Sequence, residues 1–109
     1  MEFTIKMLQD HVKSGKTSSY GGYDSRSPAK GITCKDGFKV SVQASDFHYC
    51  RPRNLEGPYS AFELGFPSEK EERLMPYVEN ADDPTGTVYS NVPLFTVIDL
   101  INSHGGMPE

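Results

Sequence analysis

The densest run of chemically able side chains is Asp46-Phe47-His48-Tyr49-Cys50-Arg51-Pro52-Arg53. It brings a carboxylate, an imidazole, a thiol and two guanidinium groups together. Four chemistries compete for it. The first is metal binding: Cys34, His48 and Cys50 are zinc-capable, and His11 or His104 could supply a fourth ligand. The chain has no Cys-x-x-Cys pair, however, so the spacing defines no zinc site. The ordinary role of such cysteines is that of small buried apolar residues. The second is nucleophilic catalysis by Cys50 with His48, which lie two residues apart and on one side of an extended chain. That pair also needs an orienting group and an oxyanion hole, and the sequence offers neither.

The third chemistry is anion or nucleotide binding. Arg51 and Arg53 could grip a phosphate, and Tyr49 and Tyr59 could stack on a base. Ser41 and Gln43 would add hydrogen bonds from a solvated strand face. No glycine-rich phosphate loop supports it, because Gly21-Gly22 precedes no clear helix. The fourth is a protein-binding surface. Tyrosine and arginine are the residue types that anchor interfaces, and Tyr20, Tyr23, Tyr49, Tyr59, Arg51 and Arg53 all lie in or beside predicted loops. The preferred reading is protein binding without catalysis, cofactor or metal, through His48, Tyr49, Arg51, Arg53 and Tyr59. The runner-up is a nucleotide or small-molecule binder that also uses Ser41, Gln43 and the 46–59 loop.

These residues need a scaffold, and the hydrophobic pattern describes one. Phe3 to Val12 reads as a short amphipathic helix with Ile5, Leu8 and Val12 on one face. Thr4 suits its cap and Gly15 its stop. Ser14 to Ala29, rich in Ser, Gly and Tyr, reads as a loop. Gly31 to Ser45 reads as a hairpin, with Asp36-Gly37 suited to a type I′ turn. In its return strand Phe38, Val40, Val42 and Ala44 alternate with Lys39, Ser41, Gln43 and Ser45, which predicts one buried and one wet face. Tyr59 to Phe66 is the next strand, with Ser60, Phe62, Leu64 and Phe66 on its apolar side.

Ser68 to Met75 reads as a short helix, with Ser68 and Glu71 at capping-box spacing and Pro76 as its stop. Thr87 to Ser90 suits a short edge strand. A final helix runs from Pro93, at the first helical position, to Gly105. Its stripe is Leu94, Val97, Ile98 and Ile101, widened by Phe95 and Leu100. The predicted class is α+β: a mainly antiparallel sheet of three to four strands with two to three helices packed mostly on one face. Residues 1–109 form a single domain, with an N-terminal helix and loop over 1–30 and an α+β core over 31–106.

Length and composition agree with that class. The chain has 109 residues, 36% of them hydrophobic, and no tryptophan. A chain of this length suits one domain that folds without disulfide staples. Its net charge of −4 argues against direct nucleic-acid binding, which needs a basic footprint. The charge is uneven: Lys30, Lys35, Lys39, Arg51 and Arg53 make the middle basic, and Glu69 to Asp83 is acidic. The acidic stretch could meet a basic partner through salt-sensitive association. No apolar run suits a membrane span, the first residues lack a signal-peptide core, and two cysteines are too few for a secreted scaffold. These features predict a cytoplasmic protein that does not engage a membrane. An edge strand or the last helix could pair with its twin in a homodimer.

Several segments occur together as a set: Cys34-Lys35-Asp36-Gly37-Phe38, Ser41-Val42-Gln43-Ala44-Ser45, His48-Tyr49-Cys50-x-Pro52-Arg53, Gly57-Pro58-Tyr59, Gly65-Phe66-Pro67-Ser68, and Val92-Pro93 through His104-Gly105-Gly106. As a set they resemble a family of small accessory proteins encoded by bacteriophages and prophages. The resemblance runs from about Gly31 to Gly106. It implies no catalytic residue. It implies a bacterial host cytoplasm and a host protein or protein complex as partner, in the manner of anti-CRISPR and other host-defence inhibitors.

Overall fold

The computed structural model describes all 109 residues. Its elements are α1 (Ile5–Val12), β1 (Thr17–Tyr20), β2 (Tyr23–Arg26), β3 (Ile32–Thr33), β4 (Lys39–Gln43), β5 (Ala61–Gly65), a 3₁₀ helix (Glu72–Tyr77), β6 (Val88–Pro93) and α2 (Leu94–Ser103). The protein is a small α+β fold. A four-stranded antiparallel sheet of order β3-β4-β5-β6 carries the core, and β1-β2 form a separate two-stranded sheet. α2 lies against β5 and β6, and α1 packs on α2.

One core of 19 buried residues joins the N-terminal segment (Phe3, Leu8, Val12) to the sheet and to Val97, Leu100 and Ile101 of α2. Thr4 caps α1 by accepting from the Met7 amide at 3.2 Å, as its position predicts. Ile5 departs from the expected stripe and is exposed. Gly15 has no positive φ. It is glycine because a side chain there would strike the Ser27 carbonyl at 1.8 Å. In α2, Phe95 points to solvent while Leu100 is buried. Pro93, expected as the first helical residue, is the N-cap instead, so the helix starts one position later at Leu94.

Three expectations fail for identifiable reasons. The segment 14–29 is not a loop. Gly21 and Gly22 sit at φ 60° and 82° between paired Tyr20 and Tyr23, which is the two-residue turn of a tight hairpin. In the second hairpin only Gly37 has positive φ, and the turn bond runs from the Gly37 amide to the Cys34 carbonyl at 2.9 Å. Lys35 and Asp36 are therefore its central residues, and Gly37 absorbs the left-handed position beyond them. The Ser68–Glu71 capping box does not form. The Ser68 hydroxyl accepts from the Lys39 amide at 2.9 Å, and Glu71 turns to Arg73 and His104. The helix there is a 3₁₀ turn that begins later and contains Pro76.

The wet face of β4 is also smaller than the alternation implies. Lys39 is exposed and Ser41 half-buried, but Gln43 and Ser45 are buried. The chain at Ala29 lies over Gln43. The Gln43 amide donates to the Ala29 carbonyl at 2.8 Å and accepts from the Ala29 N–H at 2.9 Å. Both faces of β5 are mostly covered, with four of its five residues buried, and Phe66 beyond it turns outward at φ 51°.

The same reciprocal bonding recurs twice. Asn102 of α2 accepts from Phe3 N–H at 2.8 Å and donates to the Phe3 carbonyl at 3.0 Å. Gln9 of α1 does so with Tyr59, at 2.9 and 2.7 Å. Replacing Gln43 by Ala leaves the buried Ala29 amide and carbonyl without partners. We expect chemical denaturation to show a loss of about 1–3 kcal/mol, with faster hydrogen exchange at Ala29.

The C-terminus of α2 is tied to the 35–38 turn by His104. Its ring stacks on Phe38 at 4.0 Å, and its Nδ1 meets Asp36 at 2.6 Å. Its Nε2 meets Glu71 at 3.4 Å. Burial opposes charge on this imidazole, but the bonds to Asp36 and Glu71 outweigh it and raise its pKa. A raised pKa stabilises the fold below the unfolded value of about 6.5, and the gain disappears as pH rises through the folded value. The melting-temperature gap between the native chain and His104→Gln should therefore be widest near pH 6 and narrow toward pH 8.

Candidate binding surface

β4 leads into the 46–53 segment, and a series of short bonds fixes how that segment leaves the sheet. The Ser45 hydroxyl accepts from the Phe47 amide at 3.1 Å and lies 2.7 Å from His48 Nδ1. Burial lowers the His48 pKa, which favours the uncharged ring. Tyr49 is held through its backbone: its amide donates to Glu63 at 3.3 Å, and its carbonyl accepts from Asn91 at 3.0 Å.

Asn91 can make that bond because β6 bulges. Phe62 pairs with Val92 but Leu64 with Tyr89, so Ser90 and Asn91 together oppose Glu63. Asn91 takes φ 53°, a region that asparagine tolerates. Arg51 then bridges to Ala61, with its amide donating at 3.1 Å and its carbonyl accepting from Ser60 at 2.8 Å. The segment is irregular in shape, but β5 and β6 hold it in place.

What it presents is aromatic and cationic. Phe47 is 64% and Tyr49 48% exposed, far more than such rings usually are. The Arg53 guanidinium lies over the Tyr49 ring, 5.6 Å from its centre. The β1-β2 hairpin extends the surface. Tyr23 meets Phe47 edge-to-face at 6.0 Å and donates to Asp46 at 3.3 Å, and Tyr20 at the hairpin tip is 91% exposed.

Arg26 docks that hairpin. Its guanidinium donates to the carbonyls of Ala44 and Leu55 and, at 3.1 Å, to the Tyr59 hydroxyl. Tyr59 in turn donates to the Asn54 carbonyl at 2.7 Å. One side chain thus ties β2 to the end of β4 and to the 54–59 loop.

Of the residues singled out from sequence, Tyr49, Arg51 and Arg53 lie exposed on this surface and His48 is half-buried beneath it. Ser41, Gln43 and Tyr59 are elsewhere. Ser41 accepts from the Gln43 amide at 3.0 Å, Gln43 holds Ala29, and Tyr59 is a buried support 2% exposed. Of the residues the nucleotide reading named, Tyr59 alone lines a cleft, beside Pro58, Ile5, Leu94 and Phe95, while Ser41, Gln43, His48, Tyr49, Arg51 and Arg53 line none. Phe47 and Arg26 were not singled out, and Tyr23 was named only as a loop residue. The signal for the Tyr23 contact was the Gly21-Gly22 turn, which makes 14–29 a projecting hairpin.

The metal and nucleophile readings meet specific obstacles. Cys34 and Cys50 are unpaired and buried, and no three His, Cys, Asp or Glu side chains are grouped to hold a metal ion. The Cys50 thiol donates to the Ser45 carbonyl at 3.1 Å, while His48 bonds Ser45 Oγ, so thiol and imidazole are occupied separately. Burial raises the Cys50 pKa, which disfavours the thiolate a nucleophile needs. Burial, with a smaller contribution from Asp36, pushes Cys34 up to about 11. No helix is long and apolar enough to cross a membrane.

No protein-family model, curated protein or solved structure matches this chain.

Arg26→Met keeps most of the stem and removes the three bonds. We expect a loss of about 1–3 kcal/mol, with faster hydrogen exchange through residues 17–26. The exchange pattern is the decisive readout: uniform acceleration over the whole sheet would contradict local docking by Arg26.

Proposed function

We propose that the protein acts by stoichiometric binding of a protein partner through the surface formed by Tyr20, Tyr23, Phe47, Tyr49, Arg51 and Arg53. The observation that carries this reading is the exposure of large rings on a backbone already held by β5 and β6. Aromatic and arginine side chains anchor interfaces because they bury much area and carry polar groups that can still bond. A fixed backbone reduces the ordering cost of association. Such a surface needs no cofactor.

The partner class follows from the resemblance to phage accessory proteins. On that reading the chain works in a bacterial cytoplasm and occupies a host protein or complex, in the manner of a defence inhibitor such as an anti-CRISPR protein. The two guanidinium groups favour a partner with carboxylates facing Arg51 and Arg53, ringed by apolar surface for Tyr23 and Phe47.

The test is capture of partners from a bacterial host by the tagged protein, with Arg51→Glu/Arg53→Glu beside the native chain. Both side chains are exposed, so the double variant should keep its melting temperature. It should lose the captured host complex, with affinity reduced at least about tenfold, as expected for anchor residues. A folded double variant that still captures the same complex in full would sink this surface.

A further inference from the structure

A second feature lies at the opposite end of the β1-β2 hairpin from Tyr20. Where the end of α1 meets the chain leaving β2, a cleft of about 570 Å³ opens, lined chiefly by His11, Ser14, Lys16, Ser27 and Lys30. No acidic residue lines it and only one lining residue is hydrophobic. Neither Lys16 nor Lys30 is in an ion pair, in common with most of the Lys and Arg side chains of this chain. In a chain of net charge −4, this cleft is a local concentration of unneutralised positive charge.

The bonds made inside the cleft leave donors over. The Ser27 hydroxyl accepts from the Lys16 amide at 2.8 Å and keeps its proton for another acceptor. His11 Nε2 is shielded from solvent and has no partner at normal hydrogen-bond distance and angle; burial lowers the pKa of the ring, and the Lys30 backbone close by offsets this in part. Such an orphan is costly unless something completes it. The negative end of α1 is muted here, since the carbonyls of Asp10 and His11 accept from the amides of Lys13 and Ser14. The Ser14 hydroxyl also bonds the His11 carbonyl, at 2.6 Å.

We propose that this cleft binds a phosphate group carried on a small polar molecule. Two ammonium groups, a hydroxyl and an imidazole suit the several acceptor oxygens of a phosphate monoester. The volume exceeds what inorganic phosphate needs and falls within the range of small-ligand sites, leaving room for the rest of the molecule. That remainder is polar, of the sugar or polyol class, because no Phe, Tyr or Trp ring lines the cleft to stack on a base.

Calorimetric titration with inorganic phosphate, glycerol phosphate and adenosine monophosphate tests this, with amide shifts over residues 14–16 and 27–30 as a second readout. Saturable one-to-one binding of phosphate and glycerol phosphate is expected. Lys16→Ala/Lys30→Ala should weaken it roughly tenfold or more, about 1.4 kcal/mol. His11→Gln should weaken it several-fold. The charge-matched pair Lys35→Ala/Lys39→Ala lies outside the cleft and should leave it unchanged. Equal loss in both lysine pairs would reduce the site to general charge attraction and overturn the proposal, as would absent binding. Tighter binding of adenosine monophosphate than of glycerol phosphate would overturn the polar-ester assignment. Arg51→Glu/Arg53→Glu should bind phosphate normally, so this site stands or falls separately from the partner surface.

Discussion

A backbone amide or carbonyl that is buried without a partner costs more than most single contacts nearby contribute. Much of this chain is irregular, and several irregular stretches lie directly on the core. The structure meets that constraint with side-chain amides. Gln9, Gln43 and Asn102 each present one donor and one acceptor to the N–H and C=O of a single residue, at Tyr59, Ala29 and Phe3. Each imitates one step of a strand ladder where no strand can run. The three clamps join α1 to the loop before β5, β4 to the chain entering β3, and α2 to the N-terminus. The rest of the fold can then be short in regular structure and still be closed.

The surface around Phe47 and Tyr49 is held by these joints. Gln9 positions Tyr59, Tyr59 accepts from Arg26, and Arg26 docks the hairpin that brings Tyr23 to Phe47. Arg26 meets two carbonyls and a phenol, not a carboxylate. A guanidinium suits this role because its donors spread in one plane and can serve acceptors from different segments at once. The bulge at Ser90-Asn91 completes the support from the other side by delivering an amide to Tyr49.

Patterns that depend on burial were legible in the sequence. Phe38, Val40, Val42 and Ala44 are all buried, and Val97 and Ile101 of the last helix lie in the core as their spacing implies. Alternation tells which way a side chain points, but not what lies over it, so Gln43 read as wet when Ala29 covers it. The β1-β2 hairpin was harder to see because almost every residue in it is exposed, and a strand without a buried face has no apolar period. Ser68 and Glu71 carried capping-box spacing, but His104 and Arg73 compete for the Glu71 carboxylate from elsewhere in the chain. Of the surface, the residue types were legible and the neighbours were not: Tyr23 and Phe47 are far apart in sequence.

None of residues 17–26 belongs to the core cluster, and Arg26 alone among them reaches inward to the carbonyls behind it. Folding therefore places almost no demand on what stands at positions 18–24, apart from the two glycines of the turn. The strands β1 and β2 behave as an interchangeable cartridge on a fixed mount. Substitutions there can alter the face offered to other molecules while the sheet, the clamps and the helices stay as they are, so recognition in this architecture can drift without taking the fold with it.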